Sequence, residues 1–381
     1  MNKSIQICTN CVMDSHDDKL ITFDSKGVCC HCQKYFKEEP LFVFKGKEGE
    51  LKLAETIEKI KEDGKGKQYD VIMGLSGGVD STYLALKCKE WGIRPLAVHF
   101  DNGWNSELAV KNIENIVRKL SLDLYTYVIN WEEFRDLQIA YFKASVIDIE
   151  VPTDHAIFAA MYKLAGQNNI KYVMSGNNFV TESFLPESWI HNKFDEVNIK
   201  SIHKKYGSIP LTTFPFMDSK VRRYYIDIKG IKRVTPLNFL PYDKAEVKKE
   251  IQEKLDWKDY GGKHYESIFT RFYQGYILPT KFGVDKRKAH LSNLICSKQI
   301  TKAEALEELK KPCYDNDQML EDKEFVLKKL GFSEAYFEEL MKMPPQDWRI
   351  FGEEKPLYKR FPILKIFLPL ITRWRRYRNS V

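Results

Sequence analysis

The stretch VIMGLSGGVDSTYLALKCKE, Val71 to Glu90, passes from an apolar run through a double glycine into a helical pattern. Val71, Ile72, Met73 and Leu75 read as a buried strand, and Thr82, Tyr83, Leu84, Leu86 and Lys87 open a helix. Gly77 and Gly78 permit backbone angles that a Cβ resists, so amide N–H groups can converge on an anion at the helix N-terminus. Ser76 and Ser81 add hydroxyl donors. A Walker loop carries lysine before the Ser/Thr that opens its helix, whereas here that place belongs to Asp80. A carboxylate beside polyphosphate is favourable when it holds Mg2+, because the like charges otherwise repel. The plainer reading is a tight turn whose Asp80 and Ser81 only cap the helix.

Working outward, the pattern alternates. Strand YDVIMGL is followed by helix STYLALKCKEWG, strand RPLAVHFD, helix LAVKNIENIVRKLS, strand LDLYTYVI, helix DHAIFAAMYKLAGQNN and strand IKYVMSG. Short apolar runs between amphipathic helices imply an α/β fold with a parallel sheet covered on both faces. Ligands of such sheets sit at the carboxyl ends of the strands. SGGVDS, DNGW and SGNN each follow a strand and should face one crevice. The expected units are a cysteine-rich segment over 1–40, the α/β domain over 60–240 and a Lys/Glu-rich helical domain over 241–381.

The 381 residues suffice for two or three units, and 43% hydrophobic content describes an ordinary globular chain. A net charge of +7, from 60 basic and 53 acidic residues spread along the chain, suits a phosphorylated substrate and gives no nucleic-acid tract. The segment MNKSIQICTN is too polar for a secretory signal, and no run approaches the roughly 18 apolar residues of a spanning helix. The expected location is the cytoplasm.

Five of the eight cysteines fall between Cys8 and Cys32. Cys8-x2-Cys11 and Cys29-x2-Cys32, 17 residues apart, form two knuckles whose four thiolates suit tetrahedral Zn2+. With all four positions closed, such a metal is structural. Reduced core cysteines or an iron–sulfur cluster are the other readings of the same spacing. Cys30 is read as a spectator and His31 as a substitute ligand.

SGGVDS resembles the PP-loop of the N-type ATP pyrophosphatases, of the adenine nucleotide alpha hydrolase-like fold, which cleave ATP between the α and β phosphates and transfer AMP to a substrate oxygen. The resemblance implies that Ser76, Gly77, Gly78, Asp80 and Ser81 hold the departing pyrophosphate of ATP and its Mg2+. It also places His99 to Asn102, Asp101 included, near adenosine, and Ser175 and Gly176 in the same crevice. Longer stretches, CTNCVMD, ITFDSKGVCCHC, VPTDHAIFAAMYKLA, MSGNN and WKDYGGKHYESIFTRFYQGYILPTKFGVDKRKAHLSNLI, resemble the N-acetyl sugar amidotransferase family of lipopolysaccharide O-antigen and flagellin-sugar synthesis. What this implies is adenylation of an acetamido oxygen, attack by ammonia and departure of AMP, leaving an acetamidine.

Within TKFGVDKR, Lys281, Lys286 and Arg287 are candidates to contact phosphate or a sugar carboxylate, or else form a solvated face. Asp154 and His155 form either an N-cap pair or part of the acceptor pocket, with His155 handling a proton. Asn177, Asn178 and Glu182 either bind sugar hydroxyls or shape a loop. Cys88, Cys296 and Cys313 lack the setting of a glutaminase nucleophile, and Asn2 stands where an N-terminal cysteine would be. Ammonia is therefore expected from a separate glutaminase subunit, in the company of a cyclase-like protein, as the resemblance also implies. Cys296 and Cys313 read as isolated, which argues against the rival, a tRNA-thiolating PP-loop enzyme. A non-enzymatic zinc-ribbon module is the third class. The C-terminal FPILKIFLPLITRWRRYRNSV either docks on protein or lies on an anionic membrane surface at the inner face.

Overall fold

The computed structural model describes residues 5–262 and 265–354, so the C-terminal stretch read above as a docking or membrane segment lies outside the described residues. Two helices, α1 (Cys30–Phe42) and α2 (Gly46–Asp63), precede the sheet. Then follow β1 (Val71–Gly74), α3 (Val79–Glu90), β2 (Pro95–Asp101), α4 (Glu107–Leu120), β3 (Asp123–Val128), α5 (Trp131–Ala144), α6 (Val151–Gln167), β4 (Tyr172–Met174), α7 (Phe179–Glu182), α8 (Glu196–Tyr206), α9 (Ser219–Arg223) and β5 (Lys232–Val234). The rest is helical: α10 (Lys244–Leu255), α11 (Ile268–Phe272) running into a π-helix over Tyr273–Phe282, α12 (Arg287–Cys296), α13 (Lys302–Lys310), α14 (Asn316–Leu330) and α15 (Glu334–Lys342).

The strands pair in parallel in the order β3-β2-β1-β4-β5. The chain builds outward from β1 through β2 to β3, then returns to add β4 on the other side. That reversal at β1 and β4 is a switch point, where the flanking connections part and leave a crevice at the carboxyl ends. Both loops bordering it, SGGVDS after β1 and SGNN after β4, were legible as strand-following turns.

Alternation along β1 explains the two covered faces. Val71 and Met73 pack with Ile60, Leu84, Ile116 and Ile251, contributed by α2, α3, α4 and α10. Ile72 packs on the opposite face with Ala159, Leu164 and Ala165 of α6. A third and larger cluster joins Cys8, Cys32, Trp104, Phe134, Tyr141, Phe272 and Phe337. The cysteine knuckles, the start of α6 and the C-terminal helices thus share one interior.

Three features depart from the sequence pattern. β3, expected to be buried, is an edge strand with Leu124, Tyr125 and Val128 exposed, because no strand pairs on its outer side. β5 is only Lys-Arg-Val, too short and charged to signal a strand. α5 was missed because burial all round it, from Phe134 to Gln138 and Tyr141, blurs the helical stripe.

Candidate nucleotide site and cysteine knuckles

Gly77 adopts φ +79°, the left-handed region. Its carbonyl accepts from the Trp257 indole N–H at 2.7 Å and from the Tyr260 hydroxyl, which fixes the peptide plane from beyond α10. A Cβ at Gly77 would stand 3.0 Å from the Ala109 carbonyl oxygen and from the Tyr260 hydroxyl. Gly78 caps α3, and the Thr82 hydroxyl donates to its carbonyl at 2.7 Å. The Ser76 and Ser81 hydroxyls lie 3.2 Å apart at the loop mouth. Gly176, after β4, packs so closely that a Cβ would meet the Asp80 carbonyl group at 2.9 Å and the Ser81 nitrogen at 3.1 Å. Three glycines therefore bring two strand-following loops into backbone contact around the α3 N-terminus, where amides favour an anion.

Asp80 accepts from the Tyr242 hydroxyl and, at 3.2 Å, from the Asn178 amide. Burial, aided by the Asp80 charge, pushes the Tyr242 phenol well above its usual pKa, so it remains a donor. Asn178 also caps α7 through Thr181, while Asn177 bonds Glu182 and, at 2.7 Å, Arg233 of β5. In these contacts the SGNN residues shape the loop and hold the carboxylate of Asp80. Asp101 accepts the Gly103 N–H at 2.9 Å and thereby turns the chain after β2. His99 contacts the Leu75 carbonyl oxygen at 3.3 Å, tying that turn to the glycine loop.

Sequence reasoning missed Glu266. A Cβ on Gly78 would sit 3.1 Å from its carboxylate oxygen, so this side chain lies against the loop. It also missed Tyr242, Trp257, Tyr260 and Arg233. A single glutamate or tyrosine carries no local pattern, although the aromatic pair of WKDYGG, Trp257 and Tyr260 before Gly261 and Gly262, packs edge to face. The carboxylates of Asp80 and Glu266 are hard oxygen donors of the kind Mg2+ accepts, and the glycine cradle leaves backbone room for phosphate.

The structure corrects several readings beyond the loop. His155 is fully buried. Its Nδ1 contacts the Lys193 carbonyl oxygen at 2.8 Å, its Nε2 accepts from the Met217 N–H at 3.1 Å, and burial lowers its pKa. With both nitrogens engaged, this neutral imidazole braces the chain instead of shuttling protons. Nor do Asp154 and His155 form an N-cap pair, since Glu150 is the residue preceding α6. Asp154 instead pairs with Lys193 at 3.0 Å, and Lys193 reaches Asp148 at 2.6 Å.

Of the three basic candidates, Lys281 donates to the Leu340 carbonyl in an apolar pocket that includes Val146, Ile149 and Ile277, and burial pushes its pKa down to about 8. Arg287 pairs with Asp285 at 2.8 Å and donates to the Lys311 carbonyl at 2.9 Å, which fastens the end of α13. Both are engaged structurally. Lys286 is different: burial lowers its pKa against the opposing charges of Glu150 and Asp148. Glu150 accepts from Thr270 at 2.5 Å, so this group adjoins the helix that follows Glu266.

The ligand atoms of Cys8, Cys11, Cys29 and Cys32 lie within 4.8 Å of one another, all buried. Backbone N–H groups of Asn10, Cys11 and Cys29 donate to the Cys8 sulfur at 3.4, 3.4 and 3.2 Å, and Met13 donates to Cys11 at 3.4 Å. Convergent N–H donors favour thiolates, and four sulfurs match tetrahedral Zn2+. Cys30 stays outside the set. His31 bonds Asp18 at 2.7 Å and is not a ligand of it. Cys296 is not isolated, as its position in the sequence suggested: its sulfur lies 3.7 Å from that of Cys32, because α12 packs directly on the knuckles. Cys313 contacts Asp285 at 3.4 Å, and Cys88 is core, 3.3 Å from the Met174 sulfur.

The structure is a parallel α/β sheet whose switch point carries SGGVDS at the N-terminus of α3, the arrangement that the resemblance to the PP-loop implies. Onto it is joined a C-terminal region, residues 266–365, that matches the model of the LPS biosynthesis protein WbpG-like, C-terminal domain. The chain is also similar to the uncharacterized protein MJ1599 of Methanocaldococcus jannaschii, 26% identical over 317 residues, covering 80% of this chain and 93% of that one. Among solved structures it is similar to NMN synthetase from Francisella tularensis, with 16% identity, a TM-score of 0.39 and coverage of 76% of this chain and 98% of that chain. A second is the NH3-dependent NAD synthetase from Campylobacter jejuni, with 18% identity, a TM-score of 0.29 and coverage of 54% and 94%.

Proposed function

We propose that this protein is an ATP-dependent amidotransferase of bacterial surface-sugar synthesis. It adenylates the oxygen of an N-acetyl group and lets ammonia replace it, giving an acetamidine, AMP and pyrophosphate. The observation that carries this reading is the combination of the three-glycine cradle at the switch point with a WbpG-like region whose first residue lies against that cradle.

The chemistry follows from the acceptor. An amide carbonyl is a poor electrophile and its oxygen leaves badly, whereas AMP is a competent leaving group. The chain's part is to orient the triphosphate against the amide oxygen and to neutralise charge as pyrophosphate departs. Ser76, Ser81 and the amides of the glycine loop would hold the outer phosphates, and Mg2+, when bound to Asp80 and its neighbours, supplies charge neutralisation. The acceptor would lie on the crevice side of α6, whose N-terminus carries Asp154, with Lys286 nearby in the Glu150 group. None of the cysteines described above has the setting of a glutaminase nucleophile, which supports ammonia from a separate glutaminase subunit.

The test is turnover. Purified protein is incubated with ATP, Mg2+, ammonium and a panel of N-acetyl sugars, and pyrophosphate, AMP and product mass are followed. The expected result is stoichiometric AMP and pyrophosphate with a product in which one oxygen has become NH. Formation of ADP and orthophosphate would sink the reading. Dependence on tRNA would favour thiolation, and efficient use of glutamine by the protein alone would remove the glutaminase partner.

A further inference from the structure

We propose that the open edge of β3 is a dimer interface, pairing antiparallel with the β3 of a second copy of this chain about a two-fold axis at Thr126. The inference is independent of the nucleotide reading above.

Among the described residues, β2 is the sole strand partner of β3, which ends the sheet on that side. Such an edge is ordinarily blunted by lysine, proline, a bulge or a covering element. The segment DLYTYV, residues 123–128, has neither lysine nor proline and runs in unbroken register with β2. Leu124, Tyr125 and Val128 are 37%, 44% and 69% exposed. Its one charge, Asp123, stands at the start of the strand and accepts from the Tyr69 hydroxyl at 2.9 Å.

The direction of the backbone groups follows from the ladder. Ile129 donates its N–H to the Asp101 carbonyl at 3.1 Å and so faces β2. Alternate residues of a strand turn the same way, which points Tyr125 and Tyr127 toward β2 and leaves the N–H and C=O groups of Leu124, Thr126 and Val128 facing outward. With the axis at Thr126, all three outward residues find partners: Thr126 meets Thr126 of the second copy, and Leu124 and Val128 meet each other. Tyr125 then falls opposite Tyr127, in the non-hydrogen-bonded pairs where side chains approach most closely. Threonine with threonine, apolar with apolar and aromatic with aromatic are the favourable cross-strand pairs. An isologous contact requires a surface complementary to itself. The order Leu-Tyr-Thr-Tyr-Val, which reads alike from either end, is such a surface, and a second copy is the occupant it fits. The two sheets become one, with the strands of the copies running in opposite directions, so the two crevices open at opposite ends.

The full chain is sedimented over a concentration series and its mass compared with that of one copy. Wild type is expected to reach twice that mass. T126K sets two ammonium groups opposite each other on the axis and is expected to raise the dimer dissociation constant about tenfold or more. T126C is expected to be trapped by a mild oxidant as a disulfide-linked dimer, since residues opposed at the axis have Cα atoms about 5.5 Å apart. L124C, which faces Val128 and not itself, is expected to stay unlinked, with cross-linking counted above that of wild type. A wild type that remains monomeric throughout overturns the proposal, whatever else the edge might bind. So does a dimer that T126K leaves intact, or one in which L124C links as readily as T126C. Should circular dichroism show T126K unfolded, T126C decides alone, and its failure to cross-link overturns the proposal.

Discussion

At the residue scale, Gly176 is the most constrained position of the crevice. The atoms that its Cβ would meet belong to the backbone of Asp80 and Ser81, which cannot swing aside. Gly176→Ala is expected to destabilise the fold by about 1–3 kcal/mol, as overpacking does, and to weaken ATP binding because α3 must retreat. Denaturant midpoints together with ATP titration check both, and unchanged values for both would refute the contact. The glycine was visible in the sequence as part of a strand-following SG, and its partner was not. His155 shows the opposite case. A histidine beside an aspartate suggests proton chemistry, yet Lys193 and Met217, which occupy its two nitrogens, lie far along the chain. Contacts of that kind have no local pattern, and Glu266 was invisible for the same reason.

At the scale of elements, alternation located β1, β2 and β4 and the helices α3, α4 and α6, because strands buried on both faces write continuous apolar runs. The cysteine spacing likewise announced two knuckles, but not the helix they rest on. α12 brings Cys296 to 3.7 Å from Cys32, Lys302 donates to the Cys8 carbonyl at 2.6 Å, and Lys288 joins Asp14 and Asp17 at 2.5 and 2.9 Å. The knuckles are therefore part of the C-terminal packing. Cys29→Ser is expected to lose bound zinc, measured by plasma mass spectrometry, and to lower the melting temperature of the whole chain. A low-temperature transition separate from an unchanged main one would instead show an independent module.

For the whole molecule, the shared interior ties acid stability to single carboxylates. Glu133 of α5 is buried, which opposes ionisation, yet the Thr212 hydroxyl at 2.6 Å and the N–H groups of Thr213 and Phe214 at 2.9 and 2.8 Å prevail and hold its pKa down from 4.5 to about 2. A depressed folded pKa contributes stability that is present above the unfolded value and is lost as pH falls toward 2. Glu133→Gln is expected to cost roughly 2 kcal/mol at neutral pH, with the gap to wild type closing below about pH 4. Urea unfolding at several pH values measures it, and a gap independent of pH would contradict the assignment.

The Gly77 carbonyl takes its indole donor from a residue 180 positions later in the chain. A growing polypeptide emerges from its amino end, so β1 and α3 leave the ribosome long before Trp257 and Tyr260 arrive to set that peptide plane. The glycine turn is among the first parts of the sheet to be synthesised and among the last to acquire its working shape.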